Sequence, residues 1–294
     1  MAPTLLVLAG FYPPEQRAIR YADALASAQG GRLVLLHARR ASLYDPYIFA
    51  GEAMRRQELA DDADTAALLA ELGGQLHAPT SVELLTDLLP QGLAELTQRY
   101  APALFVLGLP AAPDASPEQL SHTTLELLRA AQFPVLLVPE TTTATEPPQR
   151  VLIAADREGF VLTPASAPAA GWLRELGAEV TVAHVSAVED DAGCARALRA
   201  VQGSGLIGAG APTELRGSLH AQPAAGLLSA AADAQADLLV LLARPRSYLG
   251  ELFHRSVTAQ VLHRSALPVL LLPVAEPAEA AAPQPAAAQS SALR

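Results

Sequence analysis

Four side chains able to hold an anion, Arg244, Arg246, His254 and Arg255, fall within twelve residues and are followed at once by Ser256. Guanidinium groups grip phosphate through paired N–H donors, and a serine capping a helix turns that helix's first amides towards the same charge. The competing reading is a solvated surface, or one turned to a neighbouring domain. Other constellations lead less far. Ser166, Asp156 and His184 supply the residue types of a hydrolytic triad, but no Gly-x-Ser-x-Gly turn presents the serine. His37 and His184 each close an apolar run; without further ligands at metal-binding spacing they read as hydrogen-bonded structural histidines. Asp61, Asp62 and Asp64 read as a solvated helix face, and Glu189, Asp190 and Asp191 as exposed loop charge. Gly203-Ser-Gly-Leu-Ile-Gly-Ala-Gly210 has dinucleotide-loop glycines, yet it follows the first strand of neither half. The single cysteine, Cys194, reads as a small apolar helix residue and suits a reducing compartment.

The segments that must position these residues occur twice. Leu5–Ala9 matches Val151–Ala155, Leu33–His37 matches Val180–His184, Leu104–Leu107 matches Leu238–Leu241, and Pro134–Pro139 matches Pro268–Pro273. Val82–Leu85 is a fifth run, with Glu214–Arg216 as a weaker counterpart. Near-continuous apolar character predicts strands covered on both faces. Helices are expected over Glu15–Ala28, Glu52–Leu72, Gln91–Arg99 and Thr123–Ala131, then over Ala165–Leu176, Ala224–Ala234 and Val257–Ser265. Where the first half has its long helix at Glu52–Leu72, the second has only the shorter, glycine-rich Asp190–Gly210. Alternating strands and helices imply right-handed crossovers and a parallel sheet in each half.

Length and composition agree with this division. The chain has 294 residues, 51% hydrophobic and 17% charged, enough apolar material for two cores. A net charge of −10 provides no positive field for nucleic acid or an anionic membrane. No apolar run approaches the ~20 residues of a membrane helix, and Met1–Gly10 lacks a basic start, so a cytoplasmic location is expected. The expected organisation is a domain at 1–139, a Pro/Thr-rich linker at 140–150, a domain at 151–274 and a disordered Ala/Pro-rich tail at 275–294.

Taken in order, these features resemble the universal stress protein family. The residues that carry the resemblance are the strand endings Leu-Leu-His37 and Val-Ala-His184, and the segment Ala236-Asp-Leu-Leu-Val240. The closing segments Leu128–Val135 and Leu262–Val269 complete it. The resemblance implies two flavodoxin-like or Rossmann-like α/β domains, each a mainly parallel five-stranded sheet flanked by helices. It also implies an intramolecular pseudo-dimer, paired through Val135–Val138 and Val269–Leu272 as apolar edges. Family members that bind ATP carry an aspartate after the first strand and a Gly-x2-Gly-x9-Gly-Ser/Thr loop. In the second half Asp156 stands at the aspartate position, while Leu242, Pro245, Arg255 and Ser256 fall on the loop pattern. In the first half Gly10 replaces the aspartate, and Gly108, Ala111, Ser121 and His122 fall on the pattern. The expectation is a non-enzymatic stress-response protein with degenerate ATP loops and no metal, acting on an unidentified protein partner and open to homodimerisation. The rival is a protein that binds ATP, AMP or another anion in the second half alone, through Asp156, Arg244, Arg246, Arg255 and Ser256.

Overall fold

The computed structural model describes residues 2–38, 64–85, 90–111, 133–244 and 257–277. The first half runs β1 (Thr4–Leu8), α1 (Pro13–Ala28), β2 (Arg32–Ala38), β3 (Thr80–Leu85), α2 (Pro90–Tyr100), β4 (Leu104–Leu109) and β5 (Val135–Pro139). The second runs β6 (Arg150–Ala154), β7 (Val161–Leu162), α3 (Ala167–Glu175), β8 (Glu179–Ser186), α4 (Asp191–Gly203) and β9 (Thr213–Leu219). It closes with α5 (Pro223–Asp233), β10 (Leu238–Ala243), α6 (Val257–Arg264) and β11 (Val269–Ala275).

Local chemistry sets these boundaries. Helix α1 opens on two prolines whose fixed φ suits a first turn, and the Glu15 carboxylate accepts the Tyr12 N–H at 2.9 Å. It stops where Gly30 takes φ +62°, and α3 is followed by Gly177 at φ +64°. Helix α4 corrects the reading of Asp190–Gly210. Asp190 is not exposed loop charge but an N-cap, accepting the Gly193 N–H at 2.8 Å, and the helix continues to Gly203. Residues 64–74 are helical, consistent with the expected end of the long helix. The rest of that helix, the one expected at Thr123–Ala131 and the tail from 278 lie outside the described residues. Among the described residues no helix is long and apolar enough to cross a membrane.

Ten strands hydrogen-bond in the order β3-β2-β1-β4-β5-β11-β10-β6-β8-β9. Neighbours are parallel except at the centre, where β5 meets β11 antiparallel with Val135 opposite Leu271 and Leu137 opposite Val269. The two closing segments therefore join the halves, as the resemblance implies. The short β7, not anticipated, lies antiparallel to the far end of β11. Alternate residues feed two cores that both cross the central seam. Leu136 and Val138 join Leu270 and Leu272 beneath α1 and α3, and Leu137 joins Leu271 on the face of α2, α5 and α6.

A polar cluster fastens α1 to the turn before β3. Asp23, 6% exposed, accepts the Ala78 N–H at 2.8 Å, the His77 N–H at 3.0 Å and the His77 ring nitrogen at 2.9 Å. Burial alone would raise this carboxyl's pKa, but the bonds from Ala78 and His77 outweigh it and hold the carboxyl below its usual range.

Candidate functional site

In an open parallel sheet the ligand crevice lies beyond the strands' carboxyl ends, where strand order reverses. Each half has one such point, between β1 and β4 and between β6 and β10. The residues that leave those strand ends decide what can enter.

In the first half the start of α1 lies directly against the ends of β1 and β4. A Cβ added at Gly108, on β4, would overlap the Pro14 carbonyl, and one added at Gly10 would lie 2.7 Å from the Glu15 carboxyl. Gly108 therefore sits where helix and strand backbones touch, which is sufficient reason for a glycine without any phosphate. Gly108→Ala is expected to destabilise the protein by about 1–3 kcal/mol, because backbone rather than a flexible side chain must move. A shift of the urea midpoint checks this.

In the second half the end of β10 carries an arginine. Arg244 leaves β10 turned inward and is 7% exposed. Its Nη2–H donates to Asp156 Oδ1 at 2.8 Å and its Nε–H to Asp156 Oδ2 at 3.1 Å, a two-pronged ion pair. The same guanidinium donates to the carbonyls of Glu158 at 2.8 Å and Gly159 at 3.1 Å. Of the five N–H donors that a guanidinium has, four are thus spent inside the chain. Asp156 also accepts the Glu158 N–H at 2.9 Å, folding 156–159 into a tight turn ahead of β7.

Of the residues picked out for anion binding, the structure brings together Asp156 and Arg244; Arg246, Arg255 and Ser256 lie outside the described residues. The paper triad does not assemble. Ser166, fully buried, donates to the Pro273 carbonyl at 2.6 Å and so ties the start of α3 to β11. The two histidines do equivalent structural work: the rings of His37 and His184 reach the carbonyls of Ala9 and Ala155 at 3.3 and 3.1 Å. The other ring nitrogen of His184 lies 3.3 Å from Asp190, with Arg157 3.7 Å from the same carboxylate. The Gly193 N–H above all, then His184 and Arg157, hold the Asp190 carboxyl below its usual range. Burial and the nearby Asp190 and Asp191 push the Cys194 thiol up, so it is a poor nucleophile. Among the described residues no group of three His, Cys, Asp or Glu side chains could hold a metal.

Sequence reasoning missed the inward turn of Arg244 and the carbonyls it grips. The available signal was Asp156-Arg-Glu-Gly159, a turn-forming composition directly after a strand.

No curated protein matches this chain significantly. Among solved structures, a universal stress protein from Archaeoglobus fulgidus DSM 4304 is 14% identical, with 93% of this chain and 97% of that chain covered and a TM-score of 0.61. A functionally unknown protein from Pseudomonas aeruginosa PAO1 is 20% identical, with 92% of each chain covered and a TM-score of 0.51. At such identities the likeness establishes the fold. The model of the universal stress protein family matches residues 1–139 and matches again over 148–273. With the same five-strand order in both halves, this chain belongs to the universal stress protein family as a tandem member.

Proposed function

We propose that this chain is a cytoplasmic, non-enzymatic, partner-binding member of the family, built of domains at 1–139 and 151–274 joined by 140–150. Its two nucleotide crevices are occupied by its own atoms. The observation that carries this reading is the Arg244 fork: the carboxylate standing where family members that bind ATP carry an aspartate is already paired with a buried cation. The close approach of Pro14 and Glu15 to Gly108 and Gly10 at the end of the first half's strands supports the same reading.

Titration calorimetry with ATP and with AMP tests it. The expected result is no binding with a Kd below about 100 μM. Binding tighter than that, abolished by Arg255→Glu, would overturn it. The second reading, nucleotide or anion binding in the second domain alone, is favoured by one observation: the Asp156 side chain keeps 54% of its surface exposed. That reading predicts saturable heat with ATP or AMP, and complete silence would remove it.

A further inference from the structure

Among the described residues the joined sheet ends in two edge strands, β3 and β9. They are finished differently. At β3 the Glu83 carboxylate is covered by Arg99 at 3.2 Å and by the Tyr100 hydroxyl, so α2 folds polar side chains over that edge, although Leu84 stays 43% exposed. Among the described residues strand β9 pairs with β8 alone, Thr181 opposite Glu214 and Val182 opposite Leu215. Its outer side leaves Leu215 41% and Leu219 64% exposed, with Val188 beside the strand end 69% exposed. No proline or lysine lies within Thr213-Glu-Leu-Arg-Gly-Ser-Leu219, and its two charges are of opposite sign, so they do not repel a second copy in every register.

We infer that β9 pairs antiparallel with β9 of a second copy, about a two-fold axis through Leu215, making one sheet continuous across two chains. The order of charges on the strand carries this. Glu214 and Arg216 are its only charged residues and flank Leu215 symmetrically. An axis through Leu215 sets Glu214 against Arg216 of the second copy, twice, and Leu215 against Leu215. Leu219 then faces the small Ala211. Because a perpendicular two-fold keeps each face of the strand on its own side, the adjacent registers are centred on Glu214 or Arg216. Either of these sets a charged residue against its own copy. Opposite charges directly across antiparallel strands stabilise the pair and like charges destabilise it, so the strand itself specifies one register. Arg216 already pairs with Asp233, but at 3.8 Å and with the Asp233 side chain 63% exposed this is a long surface ion pair that a second copy's Glu214 can share or replace. The contact is isologous and closes after two chains.

Sedimentation of the full chain, or light scattering after size exclusion, between about 5 and 500 μM tests the inference, because a small interface of this kind is governed by mass action. The expected result is a rise from the mass of one chain to that of two. Arg216→Glu, which sets like charges opposite each other, is expected to weaken the dimer about tenfold or more; Glu214→Arg should do the same. The double variant Glu214→Arg/Arg216→Glu restores opposite charges and is expected to recover the dimer. Leu215→Lys gives an independent disruption. These positions lie on the open strand edge, so circular dichroism and melting temperature should match the parent. A single-chain mass at every concentration would overturn the inference. So would a dimer indifferent to Arg216→Glu, or a charge-swapped double variant as weak as the single ones.

Discussion

Asp23→Ala is expected to lower stability by about 3–5 kcal/mol, as much as truncating a large core side chain. The change removes one carboxylate and strands several donors at once: the backbone N–H groups of Ala78 and His77 lose their acceptor where α1 covers it. A donor left unpaired in such a place costs about 1–3 kcal/mol, and the bonds lost here are charge-assisted. Urea midpoints at pH 7 check the size of the effect. The pH dependence has a fixed sign. The folded state holds the Asp23 carboxyl below its ordinary value of 3.8, so its contribution is complete above that value. The contribution is lost as pH falls through the folded value, and parent and variant should converge in acid. A gap unchanged well below pH 3.8 would show that Asp23 acts by packing rather than by its charge.

The second large effect is expected where the two crevices differ most. Asp156→Ala removes the two-pronged partner of the buried Arg244 guanidinium and leaves it only the Glu158 carboxylate, 3.9 Å away and 60% exposed; removing one partner of a buried pair typically costs about 3–5 kcal/mol. The lower end applies, since the Asp156 side chain is 54% exposed while that of Arg244 is 9% exposed. Replacing both partners, with Arg244→Met added to Asp156→Ala, should recover part of the loss, because no unpaired charge then remains. A double-mutant cycle in denaturant should therefore give a coupling of at least about 1 kcal/mol. Strict additivity would mean that Arg244 is held by the carbonyls of Glu158 and Gly159 and not by Asp156.

The strands were legible because a parallel strand buried on both faces writes itself as an unbroken apolar run, as at Val135–Val138 and Val269–Leu272. Their pairing was legible for a related reason: an apolar edge must be covered by something. Helix α4 was not legible, because Gly193 and Gly203 lower helix propensity and the run of acids at its start resembles a solvated loop. What forms that helix is the Asp190 cap together with burial of Ala197 and Val201 against β8. The site was read in residue types but not in direction. Arg244 has the chemistry of a phosphate ligand and the geometry of an internal clamp, and only the turn at 156–159 separates the two. Gly108 looked like the remnant of a phosphate loop, whereas the nearby Pro14 carbonyl accounts for it. Asp23 gave no sign at all, since its partners stand 54 and 55 positions further along the chain.

The seam between β5 and β11 also sets a timetable during synthesis. Strand β5 leaves the ribosome about 130 residues before its partner Val269–Leu271 exists. At roughly 5–20 residues per second, the apolar edge Val135–Val138 waits on the order of 6–26 s for the rest of the chain. During that interval the first domain carries an open strand edge that the finished protein never displays. Slowing translation between the two halves should therefore increase aggregation of nascent chains, and a chain stopped after the first domain should associate through β5 with whatever edge it meets first.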